Sequence, residues 1–507
     1  MIKKMSIVAM LGMMAFPLNT MAGATVNVEE LERKIMELSR QLEELKAQVS
    51  QQEQAGKAAS EQIAELSDTV GDMDSRSEEW DLASRFKLSG DFRSRYDFYN
   101  AETVFGRTLE NDSLFTNRLR LNLQVLATED VEFKGRLAMY KTWGMQSAFA
   151  DESGALWPVF DGNVSRSPVG DSALYVDRAY INWNNVGDLP VWISVGRRPT
   201  TDGVPAQIRM GVDERLATPV AFMDWPFDGF VLGYGYYWGN ESLGTGKIRF
   251  CYGRGFEDGL REDSVINDVD FAGFNWDVFD SGERLLNLQS FMAFNVFNYP
   301  NFQDPIIDAN FGTLSGMGDR KTLGNILHTD MVYQAQTGSW NYFVAGGWSQ
   351  TRPNENGMFN DFAAMAAGLS GPETDENNGY AIYAGLRYDF ADPGLKVGAE
   401  YNYGSEYWLA MTPGHDDLYQ SKLATRGQVF EVYTIYDIPA GEAISRYGKA
   451  FIRLGYQHYQ YDYSGSGDWN MKPYDLDNAG DRMMLQMMGL DPVESADQVY
   501  VTLEAHF

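Results

Sequence analysis

The sequence predicts an all-β fold, a 16-stranded antiparallel transmembrane β-barrel, preceded by an N-terminal α-helical coiled coil. Three observations predict it. Beyond about residue 85, apolar and polar residues alternate with period two in one segment after another. The connections between these segments alternate in length, long and then short. The final segment, QVYVTLEAHF at 498–507, keeps the alternation up to an aromatic residue.

The alternation is clearest in FKLSGDFRSRYDFYN, residues 86–100. Phe86, Leu88, Gly90, Phe92, Tyr96 and Phe98 share one face, and Lys87, Asp91, Arg93, Arg95 and Asp97 the other. NRLRLNLQVLA sets Leu119, Leu121, Leu123 and Val125 against Arg118, Arg120, Asn122 and Gln124 in the same way, and VEFKGRLAMY sets Val131, Phe133 and Leu137 against Glu132, Lys134 and Arg136. Seven short connections (127–130, 185–190, 239–246, 280–284, 337–340, 391–394 and 439–448) separate eight long acidic ones. The long ones are 99–115, 143–173, 199–227, 256–266, 297–324, 351–378, 405–425 and 462–496. Fifteen connections join sixteen strands, with both ends of the barrel domain on the short-turn side. A water-soluble sandwich or propeller has no reason to sort its connections this way. Aromatics gather near strand ends, among them Phe86, Tyr180 with Trp183, Tyr234 to Trp238, and Trp340 with Tyr342, as interfacial girdles would.

Bulk properties agree. The chain of 507 residues has 50 glycines, 14% aromatics and a mean hydropathy of -0.35, and no run of it approaches the roughly 18 apolar residues of a spanning helix. A formal charge of -30 argues against a nucleic-acid partner. A single cysteine, Cys251, excludes an internal disulfide and the paired-cysteine attachment of a haem. Lys3 and Lys4, the apolar stretch from Met5 to Leu18 and the small residues after it read as an export signal over 1–24, with cleavage after Ala22 or Ala24. Over 26–77 the seam Val28, Leu31, Ile35, Leu38, Leu42, Leu45 and Val49 returns in register at Ile63, Leu66, Val70 and Met73. This spacing predicts a stalk that self-associates, and 86–507 forms the barrel.

The closing alternation to Phe507 resembles the trimeric outer-membrane porins of Gram-negative bacteria, of a type with an N-terminal coiled-coil extension. A second resemblance is RAYINW (178–183), a short turn, and VWISVGRRP (191–199), similar to the porin strand pair ending in Gly-Arg-Gln, with Arg198 in place of the Gln. The resemblance implies an outer-membrane location with the stalk in the periplasm, a homotrimer, contact with lipid and lipopolysaccharide, and recognition of Phe507 by the barrel-assembly machinery. It also implies that the third long connection folds inward and narrows a channel.

On that reading Arg93, Arg95, Arg118, Arg120, Arg136, Arg178 and Arg198, with Lys87 and Lys134, form a basic patch lining the pore. Asp202, Asp213, Glu214 and Asp224 of the constriction loop face them across a transverse field, with Asp228 close behind. The alternative is that the arginines pair with Asp91, Asp97 and Glu132 and brace the wall. The expected function is passive diffusion of small hydrophilic solutes and ions. The alternatives are an anion-binding, substrate-selective channel and an anchor tied through its coiled coil to the cell wall. No enzyme motif is present: His328, His415, His458 and His506 are scattered, and no nucleophile elbow or complete phosphate loop occurs. Neither a cofactor nor a metal is expected, and the acidic stretch at 475–484 reads as solvated loop in preference to a calcium site.

Overall fold

A computed structural model describes residues 85–143, 174–198, 203–212, 215, 221–223, 227–257, 266–298, 321–392, 394–412, 417, 421–439 and 448–507, with isolated positions between 32 and 57. The chain divides into two compact units, Met1–Leu82 and Ala83–Phe507. In the first unit the described positions are helical and exposed, Ile35 and Leu42 of the heptad seam among them. The export signal and the rest of the seam lie outside the described residues.

The second unit is a closed barrel of sixteen antiparallel strands. These are β1 (Phe86–Thr103), β2 (Thr108–Leu126), β3 (Val131–Thr142), β4 (Tyr175–Trp183), β5 (Val191–Arg197) and β6 (Asp228–Tyr237). There follow β7 (Thr245–Phe256), β8 (Val269–Asp280), β9 (Arg284–Phe297), β10 (Thr322–Thr337) and β11 (Trp340–Pro353). The last five are β12 (Asn378–Asp389), β13 (Leu395–Gly404), β14 (Gly427–Asp437), β15 (Lys449–Tyr461) and β16 (Val493–His506). Each pairs with its neighbours in sequence, and β1 pairs with β16 to close the ring. Closure satisfies the edge hydrogen bonds that an open sheet would leave to lipid.

Period two places the charges. Leu88, Phe92, Leu232, Phe250, Val344 and Leu503 are exposed on the outer surface, whereas Asp91, Arg93, Arg95, Asp97, Arg118 and Glu504 are buried inside. A largely apolar exterior around a polar interior is the reverse of a water-soluble core. Trp183, Tyr234, Trp238 and Trp340 stand outward near the short turns. Tyr180 does not join them. It faces inward, with the Arg198 guanidinium 5.0 Å from its ring centre.

Two connections differ from their sequence expectation. The sequence predicts a long loop over 99–115, but β1 and β2 run on through it as a paired ladder and leave only 104–107 as the turn. Above the apolar zone the outward residues Thr108, Glu110 and Asp112 are polar, so the backbone stays extended where the alternation signal has vanished. The stretch 475–484 is not simple loop, because a helix starts at its centre, Ala479–Met488. Asn478 caps that helix by accepting from the amides of Gly480 (2.8 Å) and Asp481 (3.2 Å), and Gly489 ends it in the left-handed conformation at φ 74°.

Candidate functional site on the inner wall

The inner face of β1, β2 and β16 carries a dense cluster of charge. Asp91 of β1 accepts from Arg118 (2.8 Å) and Arg120 (2.8 Å), both on β2. Arg118 also reaches Glu504 on β16 at 2.8 Å, and His506 lies 3.0 Å from the same carboxylate. Arg95 and Asp97 pair at 2.6 Å, with Gln498 donating to Asp97 at 2.7 Å. Arg93 sits within this patch and is 1% exposed. Arg136 on β3 pairs with Asp177 at 2.5 Å, where a register shift in β4 brings two successive residues toward the interior. The strand register dictates these partnerships: Arg120 stands opposite Asp91, and Glu504 opposite Arg93.

A buried guanidinium carries a large desolvation cost that a carboxylate at close range offsets, and carboxylates answer Arg95, Arg118, Arg120 and Arg136. Such pairs present little net field to a passing ion. Arg178 and Arg198 are less deeply buried. Both are half-buried, and Lys134 keeps 36% of its side chain exposed beside Glu132 at 2.8 Å. Arg198 donates to the Ser194 hydroxyl, a neutral partner, and so keeps its charge available.

The connection between β5 and β6 folds into the barrel. Its one-turn helix Ala206–Arg209 is buried along its length. Val204, Ile208 and Phe222 pack with Val332, Phe343 and Trp408. Arg209 reaches Asp417 at 2.8 Å and Glu431 at 3.1 Å. Burial disfavours the Arg209 charge, but the Glu431 and Asp417 carboxylates outweigh that and hold the guanidinium well above its ordinary range. Arg387 donates to the Ile208 carbonyl (2.6 Å), Arg453 to that of Arg209 (3.0 Å) and Lys449 to that of Gly211 (2.6 Å). The connection is thereby pinned to β12, β14 and β15. Farther along, Arg215 pairs with Asp277 of β8 at 2.9 Å.

The constriction acids Asp202, Asp213, Glu214 and Asp224 lie outside the described residues. The charges that the described part of this connection brings inward are cationic, Arg209 and Arg215, and they meet carboxylates. Asp228 opens β6 and pairs at 3.4 Å with Arg197.

Sequence reasoning missed a second inward segment, the connection between β13 and β14. Trp408, Leu409 and Met411 are buried, and the Met411 amide donates to the Phe222 carbonyl at 2.8 Å, joining the two connections. Lys422, also buried, is held between Glu400 and Glu431. The signal was present as Trp408-Leu409-Ala410-Met411, an apolar run inside a long polar gap.

A family model described as a protein of unknown function, DUF3373, matches residues 108–507. Comparison with curated proteins finds no match. Among solved structures the chain is similar to in-vitro folded OmpT, an outer membrane protein of Vibrio cholerae, at 11% identity and a TM-score of 0.42, covering 83% of this chain and 97% of that one. OprB of Pseudomonas putida, in its high-pH structure, gives 10% identity and 0.43, covering 85% and 96%. The anion-selective porin from Comamonas acidovorans gives 10% identity and 0.44, covering 83% and 99%.

Proposed function

We propose that this chain, which belongs to the DUF3373 family of proteins of unknown function, is an outer-membrane channel through which small hydrophilic solutes and ions diffuse passively. One observation carries the reading: a closed sixteen-stranded wall with apolar side chains outward and charged ones inward. A polar inner face can hold water along the barrel axis, which a channel requires and an anchor does not. The reading includes a periplasmic stalk and a homotrimer formed through stalk and barrel. Lipopolysaccharide would meet the outer rim, and Phe507 would be read by the assembly machinery.

A second reading, preference for anions, is favoured by Lys134, Arg178 and Arg198, inner-wall cations that stay half-buried where Arg93, Arg95, Arg118 and Arg120 are buried. Purified protein in a planar lipid bilayer tests the main reading. Discrete ohmic current steps are expected on insertion. A correctly folded protein that inserts without passing current would leave the anchor reading in its place.

A further inference from the structure

The helix Ala479–Met488, in the connection between β15 and β16, has an unexpected surface. Its sequence is Ala-Gly-Asp-Arg-Met-Met-Leu-Gln-Met-Met. Leu485 is buried, and Met484 and Met488 pack half-buried against the cluster that includes Ala101, Tyr474 and Leu490. Anchoring the helix accounts for these three. It does not account for Met483 and Met487, which are 58% and 70% exposed. Gln or Lys would form a helix about as well at those positions and would be better solvated.

Met483 and Met487 are four residues apart, and Met484 and Met487 three, so their Cβ atoms lie about 5–6 Å from one another on one helix face. Two exposed thioethers thus sit beside the half-buried Met484 on one helix face. The helix beneath is held at both ends by its caps, and Arg482 donates to the Val104 carbonyl at 2.6 Å, tying it to the turn after β1. Asp475, Asp477 and Asp481 precede the patch. The neighbouring cations are already engaged, Lys472 with Asp481 at 3.8 Å and Arg482 with Glu494 at 3.9 Å. With Glu494 the acids number four against these two cations, so the surroundings favour a cation. Carboxylates alone would select hard ions such as calcium, whereas neutral sulfur ligands select soft ones.

We propose that Met483, Met484 and Met487 form a thioether site for a soft monovalent metal ion, copper(I) or silver(I), on the surface of this connection. The site needs only an accessible helix and does not depend on the channel reading. Thioethers carry no proton to displace, so affinity stays constant from about pH 5 to about pH 7.5, unlike that of imidazole or thiolate sites.

The test is anaerobic titration of the full-length protein with copper(I) against a chromophoric copper(I) chelator. Wild type is expected to hold one tight equivalent per chain, with sulfur as the nearest scatterer in X-ray absorption. Because the chain has 23 methionines and Cys251, the decisive comparison is between variants. Met483→Leu with Met487→Leu changes only exposed side chains and retains helix propensity. It should abolish the tight equivalent while leaving the heat-modifiable folded band in place. Adding Met484→Leu should have no further effect on copper. Unchanged stoichiometry and affinity in the double variant, or no tight binding by wild type, overturns the proposal.

Discussion

Asp91 shows how the interior is held. It answers both Arg118 and Arg120, and all three are nearly excluded from solvent. Asp91→Asn would leave two buried cations short of charge, and removing one member of such a set costs about 3–5 kcal/mol. Denaturant unfolding in detergent should register that loss. Lys134→Gln should change stability by less than about 1 kcal/mol, because a half-exposed pair is largely screened. At this scale the sequence was only partly legible. Which residues face inward followed from period two, and bracing by Asp91 and Asp97 was among the open alternatives. Glu504 and Asp177 as partners were not visible, since strand register, not local spacing, brings Glu504 to Arg118 across 386 positions. Tyr180 misled because an aromatic near a strand end satisfies a girdle and a cation platform equally well.

At the level of elements, the seam between β1 and β16 and the pinned connection between β5 and β6 are the two sensitive joints. At the seam, Gly90 exchanges backbone hydrogen bonds with Phe507 (2.8 and 2.9 Å). A Cβ on Gly90 would come within 2.6 Å of the Arg120 carbonyl and 2.8 Å of the Phe507 ring. Gly90→Val should therefore reduce the yield of closed barrel, read as loss of the heat-modifiable band, whereas valine at Gly338, a turn position with open space, should cost only local strain. At the other joint, Arg209→Met keeps the bulk but removes the tie to Asp417 and Glu431. On the channel reading, single-channel recordings should show larger and noisier conductance, and an unchanged trace would mean that the carbonyl contacts of Arg387, Arg453 and Lys449 suffice. Strand number was readable because each crossing repeats one simple pattern. The inward fold of two connections was less so, because a loop that packs against a wall follows no period.

For the molecule as a whole, the charge of -30 says little about which ion passes. Beyond a Debye length of about 8 Å external charges are screened, so selectivity is local. On the channel reading, Lys134→Gln, Arg178→Gln and Arg198→Gln together should shift the reversal potential under a salt gradient toward cations. Arg95→Gln should shift it less, since Arg95 and Asp97 form a compensated pair. Equal shifts would show that the buried pairs contribute to the field after all.

The unbroken ring of ladders has a further consequence. Every strand is bonded to two others, so the circumference is fixed at sixteen strand spacings of about 4.8 Å and cannot dilate without rupturing a seam. The container is therefore rigid, and any adjustment of its bore falls to its contents, the two inward connections and the side chains they hold. Substitutions there can retune what fits inside while the vessel stays the same, which separates the evolution of preference from the evolution of the fold.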